Sequence, residues 1–311
     1  MIEAAGEGSA LVVDQGYAEV RSFQARRGTG VEVVKWVRGS GGRAVEELEV
    51  DVVVVDDYNL DSDWIEASAD RVPTYVVDDW QRERVVATGL VNQNVDASRD
   101  DYPESRVSDW LLGTDYVLLR KEVAARQPRV RDEPVTKVLV TMGGSDPGRR
   151  TAAVVEVLTS LEWYREGGAV TVVLGPSYGS LELGQGDRRE RLCVVRDPDD
   201  FIGLCEASSL VITAGGITTY ELAYLGIPFV PVAIAGNHAR IVEAWARRGV
   251  GPGLAVWEPD WPERLGNYLG QIVEGAAGLQ DARRSARDLV DGGGVRRFLE
   301  ACAKASRRPS Q

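Results

Sequence analysis

The chain has 311 residues, of which 44% are hydrophobic and 27% are charged, and its formal net charge of −12 corresponds to a pI near 4.8. This length suits two domains, and the negative charge disfavours binding to the phosphate backbone of a nucleic acid. No apolar run approaches the ~20 residues of a membrane span, and the N-terminus lacks the basic and apolar regions of a signal peptide, so we expect a cytoplasmic protein.

Short β-branched runs alternate with helical stretches along most of the chain. Continuous apolar strands separated by helices are typical of parallel sheets covered on both faces. The sequence therefore predicts an α/β protein. The runs that predict strands are residues 10–14, 31–36, 51–57, 74–79, 137–142, 169–175, 192–197, 209–213 and 229–234.

A stretch rich in proline and charge, residues 122–137, interrupts this pattern and predicts a linker. We place an N-terminal Rossmann-like domain at 1–125, the linker at 126–136 and a C-terminal nucleotide-binding domain at 137–292. Residues 293–311 are assigned to a last helix that packs back on the first domain.

The cysteines and the single histidine indicate neither a disulfide framework nor a metal site. Cys193, Cys205 and Cys302 are odd in number, widely spaced and set among apolar residues, so we expect three core thiols. A metal cluster is not indicated, because His238 is the only histidine.

Two strand-to-helix junctions carry a Gly-Gly pair. They are "VTMGGSDPGRRT" (140–151) and "ITAGGITTYEL" (212–222). Glycine lets the backbone approach a ligand closely and a helix N-terminus attracts anions, so each junction is a candidate phosphate site. Neither matches a Walker loop or the G-x-G-x-x-G pattern of dinucleotide-binding folds. A tight turn without a ligand is the alternative.

Carboxylates near these strand ends have two interpretations each. Thr218 to Glu221 matches a capping box, in which the glutamate accepts a bond from a backbone N–H. Alternatively, Glu221 accepts both hydroxyls of a ribose. The pairs at 56–57 and 78–79 follow strands, where catalytic carboxylates often lie, but strands also disfavour acidic residues.

Seven ordered segments resemble one family of enzymes, over about residues 10 to 290. The family comprises the nucleotide-sugar hydrolases of pseudaminic acid biosynthesis and the related spore-coat polysaccharide proteins of the SpsG type. The segments are "DVVVVDDYNLDSDW" (51–64), "YVVDDW" (75–80), "LVNQN" (90–94), "LLGTDYVLLRKEV" (111–123), "VLVTMGGSDPGRRT" (138–151), "AGGITTYELAYLGIP" (214–228) and "AIAGNHA" (233–239).

The resemblance implies a GT-B fold, in which two Rossmann-like parallel-sheet domains face a cleft. It also implies cleavage of a UDP-sugar at its anomeric C–O bond, with water as acceptor and no metal or organic cofactor. Roles follow for ten residues, of which Tyr58 and His238 are the catalytic candidates. Gly143, Gly144 and Ser145 would lie by the nucleotide, Gly215, Gly216 and Thr218 at the pyrophosphate, Glu221 at the ribose, Asn237 and His238 at the donor sugar, and Tyr58 at the cleft.

Two departures from the family leave its activity open here. The family has Asn-Gln where this chain has Asn237-His238, and the family's N-terminal Gly-x-Gly-His segment, which carries its base, has no match. Residues 10–14 align with the family's second strand, so either this chain starts downstream of the family's start or its first domain is rebuilt. A GT-B glycosyltransferase and a catalytically silent nucleotide-sugar binder are the alternative functions.

Overall fold

The computed structural model describes two compact units within the chain. They are Met1–Lys121 with Gly292–Gln311, called the N-terminal unit, and Glu122–Asp291, called the C-terminal unit. The described residues are 10–13, 32–35, 51–56, 62–80, 82, 84–128, 133–144, 146, 148–181, 190–274 and 277–307, with only the backbone given at 10–13, 32–35, 274 and 277.

The strands of the N-terminal unit pair in parallel. β1 (Ala10–Val13) pairs with β2 (Glu32–Lys35), and a four-stranded sheet has the order β3-β4-β5-β6. The helix α1 (Ser62–Ala69) buries Trp64 and Ile65 against this second sheet. The four strands are β3 (Val53–Val55), β4 (Thr74–Val77), β5 (Val86–Asn92) and β6 (Arg106–Leu112).

The C-terminal unit is a six-stranded parallel sheet of order β12-β11-β10-β7-β8-β9. Its strands are β7 (Lys137–Thr141), β8 (Ala169–Leu174), β9 (Leu192–Arg196), β10 (Leu210–Ala214), β11 (Phe229–Ala233) and β12 (Leu254–Ala255). Its helices are α2 (Lys121–Ala124), which begins one residue before the unit, α3 (Arg150–Ser160), α4 (Glu162–Arg165), α5 (Phe201–Glu206), α6 (Thr218–Leu225), α7 (Gly236–Ala246), α8 (Trp261–Glu274) and α9 (Ala277–Arg287).

Every residue of β10 and β11 is buried, which explains why Thr213 is the one polar residue in these two strands. Among the helices that the structure describes, none combines the length and the apolar character needed to cross a membrane.

The last helix, α10 (Gly294–Ser306), packs on the sheet of the N-terminal unit. The Phe298 ring meets the Tyr75 ring edge-on with centroids 5.7 Å apart, and the Tyr75 hydroxyl donates to the Ala301 carbonyl at 3.0 Å. A Cβ on Gly294 would overlap the backbone of Val117, so the helix begins in close contact with that segment.

The structure contains a strand at each of the nine predicted runs, and the predicted α/β class is confirmed. Three further strands, β5, β6 and β12, were not predicted. β12 has only two residues, and β6 contains three polar or charged residues among its first four. β5 contains Gly89, whose Cβ would overlap the Tyr75 ring, so packing demands a residue that weakens the strand pattern.

The prediction of three core thiols is wrong for one cysteine. Cys205 and Cys302 are buried, but Cys193 is exposed. Cys193 lies on β9, which is the edge strand of its sheet and has several exposed side chains. An edge strand lacks the full cover of a central one, and a short apolar run does not reveal its place in the sheet.

We expect Ellman's reagent at about pH 8 to react quickly with Cys193 and slowly with the other two thiols, because a thiolate is the nucleophile. Burial raises the pKa of the Cys302 thiol to about 12, so that group stays protonated. The absorbance of the released thionitrobenzoate measures how many thiols have reacted. Cys193→Ser should remove the fast phase, and a fast phase that survives this substitution would contradict the assignment.

Candidate functional site

The candidate site lies at the carboxyl edge of the six-stranded sheet. β7, β10 and β11 are adjacent there, with Thr141 opposite Thr213 and Ala214 opposite Val232. The loops that follow these strands therefore leave the sheet at nearly the same level. This register brings together the predicted residues at 143–144, 215–216 and 237–238, and ligands bind at such edges in parallel sheets.

The turn after β7 is exposed and tightly supported from one side. Gly143 has a φ of +81°, which favours glycine, and Gly143 and Gly144 are both exposed. The Ser177 N–H donates to the Gly144 carbonyl at 3.1 Å, and a Cβ on Gly175 would overlap that carbonyl. Ser145 lies outside the described residues.

The N-terminus of α3, beyond this turn, is already occupied by a carboxylate of the protein. Asp146 is buried and accepts bonds from the N–H of Arg150 at 2.9 Å, the N–H of Thr151 at 2.8 Å and the Thr151 hydroxyl at 2.7 Å. Asp200 caps α5 similarly through the Gly203 N–H at 2.8 Å. These two helix ends therefore have their own anions.

The N-terminus of α6 is different, because no side chain caps it. The N-cap is Ile217, and Thr218 is the first helical residue, so the capping box predicted for Thr218 and Glu221 is absent. Within the described residues, the N–H groups of Ile217 and Thr218 have no hydrogen-bond acceptor. A Cβ on Gly216 would meet nothing within 4 Å, so the turn is open on this side.

The N-terminus of α7 is uncapped as well. Its N-cap is Ala235, and the N–H groups of Gly236 and Asn237 lack acceptors in the part of the chain that the structure describes. Because β10 and β11 are neighbours, α6 and α7 begin side by side. Two free helix ends, each with a partial positive charge, form a place for an anion with two negative groups.

Gly215 lies where α7 packs closely against the turn that precedes α6. It is buried, and a Cβ there would lie 2.7 Å from Val242 Cγ2 and 3.1 Å from His238 Cβ. α7 can approach the turn this closely only because residue 215 has no side chain. The close approach places His238 beside the Gly-Gly turn that precedes α6.

Glu221 lies one turn into α6 with 0% of its surface exposed. Since the capping box is absent, satisfying the N-cap N–H is not its role. A ribose could contact this carboxylate only if the atoms that cover it move.

Strained backbone conformations also occur at the carboxyl edge of this sheet. Asp146, Arg149 and Asp197 are the non-glycine residues with positive φ in the described ranges, at +39°, +51° and +42°. All three lie in loops that follow β7 or β9 at the carboxyl edge. Such strain clusters at functional sites. The sequence reasoning missed these residues and Gly175, although Asp-Pro-Gly at 146–148 is a recognisable turn signal.

Tyr58, the predicted contribution of the N-terminal domain, lies outside the described residues. Across the described ranges, no group of three or more His, Cys, Asp or Glu side chains is placed to hold a metal ion.

No family model matches the chain, but two proteins show sequence similarity to it. The uncharacterized protein MJ1062 of Methanocaldococcus jannaschii is 23% identical over 201 residues, which cover 60% of this chain and 41% of that protein. The spore coat polysaccharide biosynthesis protein SpsG of Bacillus subtilis is 23% identical over 185 residues, which cover 59% of this chain and 55% of SpsG. The chain thus spans about half the length of these curated relatives.

Solved structures resemble the chain over nearly all of its length. Acinetobacter baumannii MurG has a TM-score of 0.59 at 14% identity, covering 91% of this chain and 88% of MurG. The spinosyn rhamnosyltransferase SpnG with thymidine diphosphate has a TM-score of 0.57 at 15% identity, and the match covers 94% of this chain and 100% of SpnG. Anabaena Alr3699/HepE with UDP-glucose has a TM-score of 0.55 at 13% identity, and the match covers 94% of this chain and 91% of HepE. Together with the two parallel-sheet units, these likenesses show a GT-B fold.

The two glycines of the 215–216 pair should differ in their tolerance of a side chain. Gly215→Ala should lower the free energy of unfolding of the C-terminal unit by about 1–3 kcal/mol, because the new methyl group overlaps Val242. Gly216→Ala should change it by less than about 0.5 kcal/mol, since the methyl group enters open space. Urea unfolding curves measure both, and equal losses would contradict the described packing.

Proposed function

We propose that the C-terminal unit binds the diphosphate of a UDP-sugar at the N-termini of α6 and α7, and that the protein cleaves the anomeric C–O bond of this ligand. The observation that carries the proposal is the distribution of helix caps. α3 and α5 have carboxylate caps, whereas the adjacent α6 and α7 have free N–H groups. The GT-B fold supports it, because SpnG with thymidine diphosphate and HepE with UDP-glucose share that fold.

The free N–H groups can stabilise the leaving group of this reaction. When the C–O bond at the anomeric carbon breaks, the electron pair stays on the oxygen of the β-phosphate, whose negative charge rises. N–H donors already fixed in direction by α6 and α7 meet that charge without reorganising. The two helix ends add their partial positive charges.

The remaining predicted residues take roles around this diphosphate site. We assign Gly215, Gly216 and Thr218 to the pyrophosphate, and Gly143, Gly144 and Ser145 to the nucleoside. Asn237 and His238, at the start of α7, are assigned to the donor sugar, with Tyr58 and His238 as catalytic candidates. Glu221 is assigned to the ribose, which requires movement of the atoms that cover it.

The acceptor distinguishes the candidate activities. The resemblance to nucleotide-sugar hydrolases favours water, as for a UDP-2,4-diacetamido-2,4,6-trideoxy sugar. The likeness to the rhamnosyltransferase SpnG favours a glycosyl acceptor. A catalytically silent nucleotide-sugar binder is the third candidate. Release of UDP in water alone identifies the hydrolase, release only with an added acceptor identifies the transferase, and binding without release identifies the silent binder.

Methyl groups placed at the open helix ends should weaken UDP binding and leave the fold intact. We expect Gly216→Ala and Gly236→Ala each to raise the Kd of UDP by about tenfold, because a Cβ at either site points into open space where the phosphates would lie. Titration calorimetry measures the Kd. Gly270→Ala in α8 is the matched control, since its Cβ also meets nothing within 4 Å. Failure of the wild-type chain to bind UDP would refute the proposal.

The ribose role of Glu221 can be separated from a structural one by comparing two ligands. Glu221→Gln should weaken binding of UDP by about 1–3 kcal/mol, because a charge-assisted hydrogen bond is lost. It should leave binding of inorganic pyrophosphate unchanged, because that ligand has no ribose. Calorimetry with both ligands is the measurement. An unchanged UDP affinity together with a lower melting temperature would establish Glu221 as a core residue only.

A further inference from the structure

A turn at the carboxyl end of β4, in the N-terminal unit, presents a large aromatic side chain to solvent. Trp80 follows Asp78 and Asp79 directly after this strand and has 58% of its surface exposed. An indole is the largest apolar side chain, and leaving it in water forgoes the stabilisation that burial would give. Ligands of parallel sheets bind at this edge, so the position suggests a binding role.

The conformation of the turn is fixed from below by Asp78. This buried carboxylate accepts bonds from the Trp80 N–H at 3.3 Å, the Arg82 N–H at 3.0 Å and the Tyr102 hydroxyl at 2.9 Å. Burial, together with the negative charge of Asp78, raises the pKa of Tyr102, so its hydroxyl keeps the proton that it donates. Asp78 therefore serves to hold the turn.

The end of β5 supports the same turn. The Asn94 side-chain amide donates to the Asp79 carbonyl at 3.3 Å, and the Asn94 N–H donates to Asn92 Oδ1 at 3.0 Å. The Asn92 amide donates to the Tyr102 hydroxyl at 2.8 Å, which closes the network. The segments "YVVDDW" and "LVNQN" thus share one structural task. A satisfied buried network of this kind pre-organises the residues that it carries.

Asp79 differs from Asp78, although the two are neighbours in sequence. Its side chain is only partly buried, and its carboxylate has no hydrogen bond or ion pair with the described residues. The acid pair at 78–79 therefore divides into one carboxylate used by the fold and one available to a ligand. The available carboxylate stands next to the exposed indole.

We propose that Trp80 and Asp79 form a platform for a pyranose ring. The apolar C–H face of the sugar stacks on the indole, whose π face is negative, and a ring hydroxyl donates to the Asp79 carboxylate. The inference rests on the proposed function, because a UDP-sugar enzyme handles a donor pyranose and a transferase also handles an acceptor. A cationic ligand fits less well, since Arg82 already places a positive charge 3.9 Å from Asp78.

The test follows the indole N–H signal of Trp80 by NMR in the full chain labelled with ¹⁵N-tryptophan. Trp80→Phe assigns the signal, and the probes are UDP, UDP-N-acetylglucosamine and methyl N-acetylglucosaminide. UDP should leave the signal in place. A shift with UDP-N-acetylglucosamine identifies the donor pyranose as the ligand, and a shift with only the methyl glycoside identifies an acceptor.

Affinities of the variants complete the test. Trp80→Ala should raise the Kd of the shifting probe by about tenfold, Trp80→Phe and Asp79→Asn by less, and none should change the Kd of UDP. Trp257→Ala is the matched control, because Trp257 is 51% exposed and lies in the C-terminal unit. An equal loss with Trp257→Ala would overturn the assignment to Trp80.

The outcomes separate this inference from the proposed function. If UDP binds the wild-type chain but neither sugar probe shifts the Trp80 signal, the platform is refuted and the diphosphate site stands. If UDP does not bind but the methyl glycoside shifts the signal, the platform stands and the proposed function fails. A shift without any change of affinity in Trp80→Ala also overturns the platform.

Discussion

In a parallel sheet the helices that follow the strands begin at the same edge, and the first N–H groups of every such helix need acceptors. This constraint organises the C-terminal unit. Asp146 and Asp200 supply acceptors for two helices, after β7 and β9. Each of the helices after β10 and β11 has two N–H groups at its N-terminus without an acceptor among the described residues, and the two helices begin next to each other. The fold thus concentrates unmet hydrogen-bonding capacity at one location near the middle of the sheet.

In both units a buried aspartate fixes a loop at the carboxyl edge of the sheet. A buried aspartate directly after a strand, or a few residues later, accepts several N–H bonds and fixes the loop that follows. Asp78 does so in the N-terminal unit and Asp146 in the C-terminal unit. Each of them is adjacent to residues that stay open to solvent, Asp79 and Trp80 in one case and Gly143 and Gly144 in the other. The buried carboxylates fix these loops, and their neighbours in sequence are exposed or partly buried.

The strands β7, β8, β10 and β11 of the C-terminal sheet could be predicted because buried parallel strands require apolar runs, but β5, β6 and the two-residue β12 could not. Residue 89 in β5 is a glycine because a Cβ there would overlap the Tyr75 ring, a residue on the neighbouring strand. The glycine pairs at 143–144 and 215–216 were also recognisable. The difference between the two turns was not recognisable, since it depends on whether an aspartate such as Asp146 caps the helix that follows. The capping box at Thr218 failed because helical geometry begins at Thr218 itself, one residue too early for Thr218 to be the N-cap.

The buried network under the turn after β4 has a consequence for substitutions at residue 80. Asp78, Asn92, Asn94 and Tyr102 fix this turn from the interior by hydrogen bonds that use main-chain groups of the turn and side chains of the interior. A substitution at residue 80 that keeps its backbone conformation leaves these bonds in place, because main-chain groups and other residues make them. The groups that hold the turn and the side chain that it presents to solvent therefore belong to different residues, so protein design can exchange the solvent-facing chemistry of the turn and keep its supporting bonds.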